Sequence, residues 1–133
     1  MDIEYQEEID ESVSVTEVKI PPLILQPFVE NALWHGLSSK DGKKSIKLSI
    51  KDQANWILCE IIDNGVGRKK AAETSKSFPE GTLSKAVQIT TQRLADFNMS
   101  PEILPVRFID LENEAGEPMG TKVIIHIKGR YIE

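Results

Sequence analysis

The sequence predicts an α+β domain in which helices cover one face of a mixed sheet. Three observations carry this. Ile46, Leu48 and Ile50 alternate with polar residues, the two-residue period of a half-buried strand. Residues 56–62 (WILCEII) are almost continuously apolar, as suits an interior strand covered on both faces or nearly so. Two further sets, Leu25, Phe28, Val29, Ala32 and Leu33, then Leu83, Val87, Thr90, Leu94 and Phe97, recur at spacings of three and four, the mark of helices that bury one stripe.

The elements follow in order. Residues 1–18 are acidic with scattered apolar positions, and the β-branched Val13, Val15 and Val18 predict an edge strand that stops at Pro21 and Pro22. A helix begins near Leu23, with prolines in its first turn, and ends near Gly36. Asp41-Gly42 marks a turn into the strand at 46–50, a tight reversal through 52–55 follows, and Asp63 ends the next strand. Between Arg68 and Lys85 the periodicity dissolves, in a stretch too long for an ordinary connection and read as a mobile lid. The second helix stops near Asn98 and Pro101 and packs on the same sheet. Strands at 106–111 and 122–127 complete the set, joined by a polar segment containing Gly116 and Pro118.

With 133 residues and 40% hydrophobic content, the chain suits one domain, residues 1–133, with a sizeable core. Acidic residues outnumber basic ones 21 to 16, and no basic run interleaves with aromatics, which argues against nucleic acid as a partner. Cys59 is the only cysteine and lies in an apolar run, so it reads as a small buried hydrophobe of a reducing compartment. No stretch reaches the roughly 18 apolar residues of a membrane span, and the acidic start is unlike a leader peptide. The expectation is a cytoplasmic domain that makes no membrane contact of its own.

Two motifs carry chemistry. Residues 26–36 (QPFVENALWHG) form a helix with a carboxamide, Asn31, on a face that also carries the carboxylate of Glu30 and the imidazole of His35. Residues 63–67 (DNGVG) end the apolar strand in a turn whose glycines, Gly65 and Gly67, let backbone N–H groups approach a ligand, while Asp63 offers an acceptor to an exocyclic amine. Together they predict a nucleotide pocket. Taken singly, each has a plainer reading: a helical Asn at the surface, a simple Asp-Asn-Gly turn, and in His35 a cation capping carbonyl ends. His126 reads as an outward strand residue, and Trp34 and Trp56 as packing residues more than as a platform for adenine. The pairs Lys43-Lys44 and Lys69-Lys70 read as solvated, the second at the mouth of the lid.

These residues resemble a known family. QPFVENALWHG is similar to the N box, DNGVG to the G1 box, and Gly120-Thr121-Lys122 to the closing glycine motif of the GHKL ATPase superfamily, whose architecture is the Bergerat two-layer α/β sandwich. Within it, IPPLILQPFVENALWHGL most resembles the LytS-like sensor histidine kinases, which commonly partner LytTR response regulators. The match runs over residues 20–127. By this resemblance Asn31 coordinates the Mg²⁺ that bridges ATP phosphates, and Asp63 accepts from the adenine amino group. Gly65, Gly67 and Gly120 let the chain pass close beneath the nucleotide, Thr121 supports the adenine end, and Glu30 and His35 lie near the phosphates as catalytic candidates. The implied function is the ATP-binding catalytic domain of a two-component kinase: it binds ATP and ADP and passes the γ-phosphoryl group to a histidine on a dimerisation and phosphoacceptor domain, for relay to a response regulator.

Two departures from the family pattern bear on this. Ala86 stands where relatives open the lid helix with glycine, whose bare N–H groups cradle phosphate; Gly81 is the nearest alternative. Neither histidine has the setting of a phosphoacceptor, so the chain is expected to be part of a longer kinase whose parent is anchored in the bacterial inner membrane. Hydrolytic members of the superfamily place a glutamate four residues before the metal-binding Asn; here that position is Pro27, which cannot activate water, so phosphoryl transfer is favoured over hydrolysis. Two alternatives stand beside the kinase: a degenerate Bergerat domain acting as a non-catalytic interaction module, and an anti-sigma-factor-like kinase acting on serine.

Overall fold

The computed structural model describes residues 3–9, 24–37, 40–53, 56–67 and 85–128, without the side chains of His35 and Gly36. Five strands form one sheet in the order β1-β2-β3-β5-β4: β1 Ile3–Ile9, β2 Lys44–Gln53, β3 Trp56–Asp63, β4 Val106–Glu112 and β5 Pro118–Lys128. β1 runs parallel to β2, and the other three pairings are antiparallel, so the sheet is mixed as the pattern predicted. Helix α1 spans Gln26–Asn31, continues as a π-helical turn over Ala32–Leu37, and α2 spans Lys85–Asn98.

Strand pleating sorts the residues. Ile57, Cys59, Ile61 and Asp63 of β3 and Val123, Ile125 and Ile127 of β5 are buried on the helix-covered face, joined by Ile46, Leu48 and Ile50 of β2. Helix α1 adds Phe28, the π turn adds Ala32 and Leu37, and α2 adds Val87, Thr90 and Leu94. The intervening strand residues on the open face are half-buried, so β3 is shielded on both sides to different degrees. There Lys122 reaches Glu60 at 3.1 Å.

The π turn solves a register problem. In a continuing α-helix Leu37 would lie about 140° round the axis from Ala32. Bonding across five residues brings it back near the same side, where it is fully buried and packs toward β2, β3 and β5. Pro27 lies in the first turn of α1, where a missing N–H costs nothing.

The edge strand expected through Val13, Val15 and Val18 lies outside the described residues. The edge position beside β2 is taken by the acidic segment Ile3–Ile9. Two of its glutamates hold it to β2 and the residue before it, Glu4–Lys43 at 3.0 Å and Glu8–Lys47 at 3.1 Å. One expectation needs correction: Trp34, read as a packing residue, is 71% exposed, since helical winding sets it about 200° round the axis from the buried Ala32. Trp56 is half-buried, as expected, and Cys59 is fully buried, its thiol pushed up to about 12 by burial. Among the described residues no helix is long and apolar enough to cross a membrane.

Candidate nucleotide-binding site

Asp63 is the last residue of β3, and the sheet decides what lies beside it. The register pairs Asp63 with Ile46 of β2 on one side and Thr121 of β5 on the other, so residues far apart in sequence meet at one strand end. The side chain is 3% exposed. Its Oδ1 accepts the backbone N–H of Gly65 at 2.8 Å, and the backbone of Thr121 also donates to the carboxyl. Burial nevertheless dominates and pushes the carboxyl up to about 6, against the partial pull of those two bonds and of the Lys40 ammonium. Two backbone donors leave acceptor capacity on a carboxylate, enough for an amine to join.

Gly120 shows why a glycine is needed here. Its φ is +132°, and a methyl group on its α-carbon would stand 2.0 Å from the carbonyl oxygen of Asp63. No other residue fits so close to the neighbouring chain. Gly67 has φ +88°, and a side chain there would press on Pro118. Thus the DNGVG turn and the start of β5 interlock. Gly65 is buried as well and serves through its N–H.

Asn64 braces the turn from below. Its Oδ1 accepts the N–H of Ser45 at 2.8 Å, and its Nδ2 donates to the carbonyl of Lys43 at 2.9 Å. The Lys40 ammonium donates to the Asn64 carbonyl. Sequence reasoning missed Lys40, whose only signal is a lone cation just before the turn into β2.

Asn31 closes α1 where the π turn begins. Its Oδ1 is buried and has no hydrogen-bond partner, one of two such side-chain atoms among the described residues. An orphaned amide oxygen is costly unless something outside the protein completes it. A hard cation that takes one neutral oxygen from protein, and the rest from phosphate and water, meets that need, so the residues fit Mg²⁺ bound through a nucleotide. Among the described residues no cluster of three acidic, His or Cys side chains offers an all-protein metal cage. Glu30 is exposed and accepts from the side chain of Gln26 at 2.9 Å, so the structure places it on the outer flank of α1. His35 belongs to the π turn, with its side chain outside the described residues, as are Lys69, Lys70 and Gly81. Ala86 is exposed in the first turn of α2.

No family model matches the chain. It is 35% identical over 91 residues to the uncharacterized protein YwpD of Bacillus subtilis, covering 68% of this chain and 32% of that protein. It is 34% identical over 67 residues to the sensor protein LytS of Oceanobacillus iheyensis, covering 47% and 12%, and 37% identical over 60 residues to the sensor histidine kinase YpdA of Escherichia coli, covering 45% and 10%. The chain therefore spans a third or less of the curated relatives it matches. Among solved structures it is similar to the histidine kinase domain of a blue-light-activated kinase from Erythrobacter litoralis, with TM-score 0.58, 20% identity, and 95% of this chain and 51% of that one covered. The mycobacterial sensor histidine kinase MprB gives TM-score 0.58 at 14% identity, covering 98% and 84%. The chain has the two-layer α/β fold of histidine-kinase catalytic domains and is related in sequence to the LytS-like sensor kinases.

Proposed function

We propose that this domain binds ATP with Mg²⁺ and presents the γ-phosphoryl group to a histidine of a LytS-like sensor kinase, for relay to a response regulator of the LytTR type. The observation that carries the reading is Asp63: a buried carboxylate at a strand end, pinned by two backbone donors and still able to accept an amine. Asp63 would take the adenine amino group, with the Thr121 hydroxyl beside it and the bare α-carbon of Gly120 keeping the floor low. Asn31 would supply the protein oxygen to Mg²⁺, which would neutralise phosphate charge there.

The rest of the work is positioning. Purine recognition at one end and the metal-directed amide at the other hold the triphosphate in one orientation, which is the larger part of what such a transfer needs from a protein. The phosphoacceptor histidine would come from a separate helical domain of the full-length kinase, membrane-anchored in the parent and cytoplasmic on this side. Glu30 and His35 remain candidates for contact with the phosphates.

The test uses calorimetry with ATP and ADP, with and without Mg²⁺. Wild type should bind both, and Asn31→Ala should lose the increment that Mg²⁺ adds while keeping metal-free ADP affinity. Asp63→Asn should weaken every nucleotide. A ligand at a hundred times its dissociation constant stabilises by about 2.7 kcal/mol. No thermal shift at millimolar Mg-ATP would instead support the non-catalytic interaction module, the alternative to which Ala86 points.

A further inference from the structure

At the other end of β3 from Asp63 lies a cleft of about 530 Å³, lined by Gln53, Trp56, Glu102, Ile103, Leu104, Arg107 and His126. Trp56 opens β3 and Asp63 closes it, so the strand sets the two sites roughly 24 Å apart. The volume falls in the range of small-molecule sites.

The floor of the cleft is preorganised. The His126 N–H donates to the Pro105 carbonyl at 2.8 Å, and its carbonyl accepts the Asn98 amide at 2.8 Å. The imidazole meets the Trp56 ring edge-on, with centroids 6.2 Å apart and planes at 81°. Its Nδ1 is buried without a partner, and burial, helped by the Arg107 charge, lowers its affinity for a proton. Two charged groups of opposite sign share the cleft, Arg107 from β4 and Glu102 from the segment before it. No ion pair joins them or ties either to another described residue. Beside them Leu104 is 67% exposed, a large apolar side chain left against water.

A cation and an anion that do not neutralise each other, set beside an aromatic ring and an uncovered leucine, suit a ligand bearing both charges and an apolar body. We propose that this cleft is a second binding site, for a small zwitterion of the α-amino-acid class with an apolar side chain. The carboxylate lies toward Arg107 and the His126 imidazole, the ammonium toward Glu102, and the side chain covers Leu104, Ile103 and Trp56. Planar guanidinium groups favour carboxylates in two-point contact, which gives the orientation. The inference does not depend on nucleotide binding.

L-phenylalanine is the probe, followed by NMR at the His126 ring and the Trp56 indole. The expected result is a saturable shift at both, with the His126 pKa rising as the carboxylate binds. Phenethylamine and 3-phenylpropanoate, each lacking one charge, should bind at least about tenfold more weakly, a loss typical of a missing charged partner. Arg107→Gln should weaken L-phenylalanine by a similar factor and leave phenethylamine unaffected. Glu102→Gln should reduce L-phenylalanine to the level of 3-phenylpropanoate. Both side chains are exposed, and unchanged unfolding midpoints of the two variants would show that the fold persists. Absence of a saturable shift up to about 10 mM ligand, or binding indifferent to both substitutions, would overturn the proposal.

Discussion

Replacing Asp63 with Asn keeps the side chain's shape and removes its charge, which separates the cost of burying a carboxylate from its proposed role in recognising a purine. In the nucleotide-free domain burial holds the carboxyl at about 6, against an ordinary value of 3.8. A folded pKa above the unfolded one means that the group's stabilising contribution is complete below pH 3.8 and is lost as pH rises through 6. At 1.36 kcal/mol per tenfold change in proton activity, the interval is worth about 3 kcal/mol. Asn does not titrate. The stability of wild type minus that of Asp63→Asn should therefore fall by about 3 kcal/mol between pH 3 and pH 7.5, with most of the change between 4 and 6. Urea unfolding of both proteins across this range, free of nucleotide, measures the difference, and every other titrating group cancels. Affinity runs the opposite way: the ionised carboxylate is the better acceptor, so ATP binding at pH 7.5 should weaken at least about tenfold in the variant. A stability difference that is flat with pH, or that rises, would refute the account of Asp63 as a carboxylate buried at energetic cost.

Three further outcomes are expected. Lys40→Met removes the cation that draws the Asp63 carboxyl down, so the acid limb of wild-type ATP affinity, falling below about pH 6, should move to higher pH in a fluorescent-nucleotide titration. Gly120→Ala places a methyl group 2.0 Å from the Asp63 carbonyl at a left-handed φ, and should cost at least about 2 kcal/mol in chemical denaturation as well as nucleotide binding. Asn98→Ala strands two backbone groups of β5, the His126 carbonyl and the Lys128 N–H, which its side chain bonds at 2.8 and 2.9 Å; a loss of about 2–4 kcal/mol in unfolding free energy is expected.

What could be read from the sequence is what local periodicity encodes. Alternation at Ile46, Leu48 and Ile50, the apolar run into Asp63, and the stripe through Val87, Thr90 and Leu94 each specify an element without reference to the rest of the chain. The two motifs were legible as residue patterns, although what demands glycine at 120 is the carbonyl of Asp63 on a neighbouring strand. What escaped depends on distant partners. The acidic Ile3–Ile9 lacks a buried stripe and is a strand because β2 offers it an edge, with Lys47 of β2 and Lys43 just before it pairing its glutamates. Lys40 matters through the Asn64 carbonyl and the Asp63 carboxyl, and Asn98 through β5, contacts that no periodicity announces. Trp34 was misread for a different reason: at 3.6 residues per turn it already falls opposite the stripe through Phe28 and Ala32, and its bulk was weighed above its position.

The surplus residue in the π turn over Ala32–Leu37 has a consequence for winding that composition conceals. A π turn is an α-helix carrying one extra residue. Excising His35 or Gly36 would let ordinary helical winding resume while every hydrophobic group was retained, with Leu37 four residues after Ala32, about 40° round the axis and still facing the core. A return to α winding with all the residues kept would instead carry Leu37 about 140° round and out of the core, and with it the approach to Lys40, whose ammonium steadies the Asn64 carbonyl. A shorter chain would keep the alignment that a merely rewound one would lose.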